Sequence, residues 1–278
     1  MALLYLLVLI SLVSGLQRNI KIANGLLREI DNYRFMASLQ KPTTPGGRTF
    51  AHYCGGTILG HSWILTASHC VTKSENRSEI RNLKGEMVVV GTARLGPTGS
   101  PEPGAQKAWI KTAYASPHYT RPDRREHPYD LALIELVKPL QSRGIAKIHL
   151  WKKLSLEKVG DVEVLGWGKM TPRGENAQFL RGYTTKLYEP CKKPEFVFCI
   201  ANPSGSGHCE ARGDDGGPII SKMELFPGQY EWVQLGVIPD DGRACNFQSS
   251  VAWSSSGLIG PYCDWIAQTT GSNFCHDH

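Results

Sequence analysis

"RGDDGGPII", residues 212–220, sets two acidic residues inside a frame of glycines and runs straight into an apolar, β-branched segment. Glycine on both sides permits a tight turn, and the run after it reads as a strand, so Asp215 is displayed at a strand-to-turn junction. The other apolar runs have the same character. Residues 61–68, 86–95, 130–137, 161–168, 217–223 and 230–238 are short and rich in Val, Ile, Leu and Trp. Turn-forming stretches at 41–49, 96–104 and 202–207 punctuate them. Many short strands between Gly/Pro turns predict an all-β sandwich or barrel, mostly antiparallel. Only 260–271, "GPYCDWIAQTTG", reads as a helix, with Pro261 near its start and Gly271 near its end.

The composition is that of a folded protein: 278 residues, 41% hydrophobic and 20% charged, which argues against disorder and fibrous repeats. Residues 1–15 are an apolar run ending in small residues at Val13-Ser14-Gly15, the pattern of a signal peptide, and predict a secreted, extracellular protein. Nothing later approaches the roughly 18 unbroken apolar residues of a membrane helix, so no membrane association is expected. Asn76-Arg77-Ser78 is a glycosylation acceptor, which suits an exposed loop. The net charge of +6 permits contact with anionic surfaces without naming one. The densest basic run, "RPDRR" at 121–125, reads as a solvated loop and not as a nucleic-acid site, since no aromatic residues are interleaved for base stacking.

Eight cysteines are an even number in a secreted-looking chain, and disulfides follow. No metal site or cofactor is expected, because cysteines and histidines do not cluster at ligand spacing. His52, His61, His118, His127, His149, His208, His276 and His278 read as loop or tail residues. Cys263 and Cys275 leave two alternatives open. They close the tail on itself, which requires the chain to turn back near Gly271, or one of them links to a second molecule.

Three motifs occur in one order: "WILTASHC" (63–70) with His69, "YDLALIEL" (129–136) with Asp130, and "GDDGGP" (213–218). Together with "CGGTIL" (54–59), "GWG" (166–168) and "IANG" (22–25), they resemble the trypsin/chymotrypsin family of serine endopeptidases, with arthropod and mite trypsins closest in look. The resemblance covers nearly everything after residue 21. It implies two packed six-stranded antiparallel β-barrels with a C-terminal helix. The divisions would be a signal peptide (1–15), a propeptide (16–21), barrel halves at 22–149 and 150–261, and a helix and tail at 262–278. It further implies cleavage at Lys21-Ile22, after which the new Ile22 amine pairs with Asp214, and disulfides Cys54–Cys70, Cys191–Cys199 and Cys209–Cys245.

In that family the triad is His, Asp, Ser. His69 and Asp130 match, but Asp215 stands at the nucleophile position, with Gly213 and Asp215 placed to supply oxyanion-hole N–H groups. An aspartate has no proton for His69 to remove and is a poor nucleophile at an amide. Carboxylates on both sides are expected to hold His69 as an imidazolium. Other departures agree. Pro239, Asp240 and Asp241 replace the substrate-docking strand, three residues instead of one separate Cys209 from Gly213, the pocket floor falls at Gly207, and the pocket glycine is replaced near Ser250.

These features predict a catalytically inactive homologue that binds a protein partner, as cofactor, decoy or inhibitor in a proteolytic cascade such as complement or immune defence. The alternatives are a hydrolase with residual or repurposed activity, retaining His69, and a surface- or glycan-binding module using the basic loops.

Overall fold

A computed structural model of the chain describes residues 25–73, 79–96, 102–119, 129–153, 159–169, 174–188, 197–201, 213–239 and 253–276. After a two-residue strand β1 (Leu26–Leu27) come β2 (Met36–Pro42), β3 (Phe50–Gly60), β4 (Trp63–Thr66), β5 (Met87–Val90), β6 (Gln106–Ala115) and β7 (Ala132–Leu136). Strands β2 to β7 close into an antiparallel barrel in the order β2-β3-β4-β7-β6-β5. The two-residue period of a strand sorts their side chains. Along β6, Ala108 and Ile110 point inward while Lys107, Trp109 and Lys111 face out, and a register shift between Ile110 and Thr112 then brings Ala113 inward. Met36, Leu39, Ile58, Ile64, Leu65, Val88, Leu133 and Ile134 fill the interior.

The second half supplies β8 (His149–Trp151), β9 (Val162–Gly166), β10 (Arg181–Thr185), β11 (Val197–Ala201), β12 (Pro218–Phe226), β13 (Gln229–Val237), β14 (Trp253–Leu258) and β15 (Cys275–His276). A second six-stranded barrel was expected; the described strands form one nine-stranded sheet, along the path β1-β10-β9-β12-β13-β14-β11, with β8 pairing both β13 and β15. The three further strands are β1, which joins from ahead of the first barrel, β8, which pairs parallel with β13, and β15 from the end of the chain. Val162, Val164, Ile219, Val233 and Leu235 form its core.

The predicted tail helix is a 3-10 turn (Gly260–Tyr262) followed by α1 (Cys263–Thr270). Gly271 ends it in the left-handed region at φ 70°, a conformation glycine adopts without a Cβ penalty, and its N–H caps Ala267 O. The chain reverses there, and Cys275 reaches Cys263 to form a disulfide with a Cα–Cα distance of 5.8 Å. Among the described residues no helix is long and apolar enough to cross a membrane.

Barrel and sheet meet through buried polar contact as well as apolar packing. Thr57 Oγ1 donates to Gln234 Oε1 at 2.7 Å, both residues being inaccessible to solvent. Beside it, Gly55 lies so close to the 213–217 turn that a Cβ there would stand 2.9 Å from Gly217 Cα. This seam positions the site, because β3 and β4 bring one part and the turn leading into β12 brings the other.

Candidate active site

His69 sits in a single 3-10 turn (Ser68–Cys70) directly after β4. Three attachments hold the turn. The Ser68 hydroxyl donates to Leu131 O, Cys70 is bridged to Cys54 on β3, and the His69 N–H donates to Asp130 Oδ1 at 2.9 Å. Asp130, just ahead of β7, is fully buried, and its other oxygen accepts from His69 Nδ1 at 2.7 Å. Both carboxylate oxygens are thus committed to one histidine, which fixes its ring and keeps Nε2 facing the cleft.

The 213–217 turn faces this pair. Gly213 has φ 101°, where a side chain is strained, and a Cβ would also lie 3.1 Å from Gly168 Cα. Asp214 is buried and its Oδ1 accepts from Gly168 N at 2.7 Å. Asp215 O accepts from Gly55 N at 2.8 Å, which ties the turn to the barrel. The Asp215 side chain bends back so that Oδ2 accepts the Gly213 N–H at 3.3 Å. One of the two N–H groups expected to serve an oxyanion therefore already holds a carboxylate oxygen.

The Gly213 carbonyl is held by a residue that the sequence places in a solvated loop. His52 lies on β3 and is buried, which corrects that expectation. Its Nε2 is 2.7 Å from Gly213 O and its Nδ1 is 2.8 Å from Ser38 Oγ. Since a carbonyl only accepts, Nε2 carries the proton and Ser38 Oγ–H donates to Nδ1. Gln40 Nε2 in turn donates to Ser38 Oγ at 3.2 Å. Burial pushes the His52 pKa down to about 4, partly offset by the hydrogen bond to Gly213. The two-residue period does not mark it, because a register shift at Leu39–Gln40 interrupts the alternation of β3 between His52 and Cys54.

On the other side of His69 a cleft of about 520 Å³ is lined by Lys41, Tyr53, Thr72, Lys73, Arg81 and Asp215 together with the Cys54–Cys70 bridge. Arg81 organises this wall. Its guanidinium donates twice to Cys70 O, at 3.0 and 2.8 Å, and pairs with the buried Glu86, which also accepts from Tyr53 Oη at 2.8 Å. Burial, then the nearby Glu86 charge, raises the Tyr53 phenol well above its ordinary range. Cys54, His69 and Cys70 bring three donor atoms together, but both sulfurs are spent in the disulfide and offer no thiolate to a metal.

A family model described as Trypsin matches residues 22–238, most of the chain. This protein belongs to the trypsin family. Among curated relatives it is similar to the venom peptide isomerase heavy chain of Agelenopsis aperta (28% identity, 72% of this chain and 82% of the relative). Phenoloxidase-activating factor 3 of Holotrichia diomphalia matches at 27% over 91% of this chain and 74% of its own length. A trypsin of Simulium vittatum matches at 28% over 77% and 83%.

Within this trypsin fold the structure brings His69, Asp130, Asp214, Asp215 and Gly213 to one seam. Pro239 is buried just after β13, whose extension at Ile238 donates to Gly217 O and accepts from Gly216 N. Cys199 is disulfide-bonded. Lys21, Ile22, Asn76, Cys191, Gly207, Cys209, Asp240, Asp241, Cys245 and Ser250 lie outside the described residues. Sequence reading missed His52, Ser38, Gln40 and the Arg81–Glu86–Tyr53 wall, whose members are far apart in sequence or have no motif of their own.

Proposed function

We propose that this chain is a secreted, catalytically silent trypsin homologue that acts by binding a protein of a proteolytic cascade, as cofactor, decoy or inhibitor. The observation that carries the reading is Asp215. At the place of the nucleophile it has no proton to yield to His69, and its carboxylate lies on the Gly213 N–H that would otherwise stabilise an oxyanion. A general base without a nucleophile, beside an occupied hole, has no route to a tetrahedral intermediate. The retained His69–Asp130 pair then serves the shape of the cleft.

The cascade assignment draws on relatives named phenoloxidase-activating factor 3 and, from Spodoptera litura, phenoloxidase-activating enzyme 1. Secretion is supported by the disulfides, which persist in oxidising compartments, and by the apolar leader. In this reading residues 1–15 are removed, residues 16–21 form a propeptide, and cleavage after Lys21 releases the Ile22 amine toward Asp214.

The test is turnover of a broad fluorogenic peptide library by protein cleaved after Lys21, beside Asp215→Ser. No turnover by the native protein is expected. Hydrolysis by the native chain that disappears in His69→Ala would refute the proposal.

A further inference from the structure

Two of the histidines read as unrelated loop and tail residues, 127 positions apart, meet at the end of the second sheet. His149 Nδ1 and His276 Nε2 stand 2.8 Å apart. The meeting is built into the fold. Parallel pairing of β8 with β15 sets Cys275 opposite Leu150 and His276 opposite Trp151. Backbone bonds from Leu150 N to Phe274 O and from Lys152 N to His276 O, each 3.2 Å, hold the register. The Cys263–Cys275 disulfide then anchors the short strand from the other side, on α1. Both imidazoles remain partly accessible. Among the flanking residues, Lys152 next to β8 and Asp264 on α1 stand 3.9 Å apart as an ion pair.

The two rings are not arranged as a simple linear hydrogen bond. Such a bond of this length would hold the ring centroids about 5.1 Å apart. They are 4.5 Å apart, with the ring planes at 75°. With metal–nitrogen bonds of about 2.0 Å, two imidazole nitrogens at right angles around one ion stand about 2.8 Å apart with centroids about 4.5 Å apart, whereas tetrahedral ligands stand about 3.3 Å apart. Both observed separations match the right-angled case.

We infer that His149 and His276 form a two-nitrogen site for a divalent transition-metal ion of tetragonal preference, Cu(II) ahead of Ni(II). Imidazole suits both ions, and the general affinity order puts copper first. Binding needs both facing nitrogens bare. In the neutral pair one of them holds a proton, which moves to the outer nitrogen of the same ring, so the tautomer changes and no net proton is released. Water completes the coordination. The bound ion would clamp β15 onto β8, in parallel with the disulfide. This inference is independent of the state of Asp215.

The experiment is calorimetric titration of the intact disulfide-bonded protein with CuCl₂ at pH 7.5, with electron paramagnetic resonance of the one-to-one sample. One site per chain carrying two coordinated nitrogens is expected. His149→Gln and His276→Gln, each verified as folded by circular dichroism, should weaken binding by more than about tenfold and each remove one nitrogen from the spectrum. His118→Gln should leave it unchanged. Wild-type affinity in His149→Gln, a one-nitrogen spectrum in the native protein, or loss confined to His278→Gln would overturn the inference.

Discussion

The carboxylate of Asp215 accepts a hydrogen bond from the backbone N–H of Gly213, two residues earlier, at 3.3 Å, while the Gly213 carbonyl accepts the ring N–H of His52 at 2.7 Å. Both backbone polar groups of one glycine are therefore engaged, one by the Asp215 side chain and one by a buried histidine. The turn's hydrogen-bonding capacity at Gly213 is thereby spent within the protein.

Asp215→Ser removes the carboxylate from the Gly213 N–H and supplies a hydroxyl within the frame set by His69 and Asp130. The variant should react with a small fluorophosphonate, which tests nucleophile, base and oxyanion hole without demanding a peptide-docking strand. Native protein and the double variant Asp215→Ser/His69→Ala should stay unlabelled, as read by mass spectrometry of the intact chain. An unlabelled single variant would show that the hole is not restored by freeing Gly213.

His52 makes stability pH-dependent. Its pKa is 6.5 when unfolded and about 4 when folded, because the buried ring resists charging. The unfolded chain therefore takes up the proton first. The full contribution is present above pH 6.5 and is lost progressively as pH falls from there to about 4; a shift of this size corresponds to about 3 kcal/mol. Urea unfolding of the native protein and of His52→Gln at several pH values should show the gap between them narrowing across that window. A constant gap would mean that His52 is not buried neutral.

The parts of this structure that were legible in the sequence are those whose information is local. The run 86–95 contains β5, 130–137 contains β7 and 161–168 contains β9, because β-branched and aliphatic residues there announce a buried pleat. Strand β3 is the longest among the described residues and is not legible as a strand in the sequence, since Gly55, Gly56 and Gly60 dilute its apolar pattern. Those glycines are required by close approach: a Cβ at Gly56 would stand 2.8 Å from Leu65 O. β15, with two residues, has no pattern to read and exists through its pairing with β8. The same division holds in the site. His69, Asp130 and Asp215 lie in motifs, whereas the His52 relay and the His149–His276 pair arise only when distant strands are brought side by side.

Glu86 holds the wall beside His69 by accepting from Arg81 and Tyr53 at once. Glu86→Ala leaves the guanidinium and the phenol without their shared acceptor in a mostly buried setting, which should cost roughly 3 kcal/mol. Because Arg81 also carries the Cys70 carbonyl, loosening should reach His69 itself. In the Asp215→Ser background, chemical denaturation should report the lost stability, and fluorophosphonate labelling should slow. Unchanged labelling would confine the cluster to a purely structural role.

Gly168, in the "GWG" motif, is required by Asp214. A Cβ at position 168 would lie 2.5 Å from the Asp214 carboxylate, in a cavity where Gly168 N also donates to that carboxylate at 2.7 Å. Gly168→Ala must therefore push the buried acid away from the N–H that satisfies it. A displaced buried carboxylate loses hydrogen bonding and cannot reach water, so a penalty of about 2–4 kcal/mol follows. The displacement is transmitted through one peptide to Asp215 and through Gly217 N, which donates to Asp214 O at 2.9 Å. Fluorophosphonate labelling of Asp215→Ser should thus be lost when Gly168→Ala is added, even at temperatures where the double variant is folded by circular dichroism. Retained labelling would show that the turn keeps its shape without Asp214 in place, and that the glycine is required by packing alone.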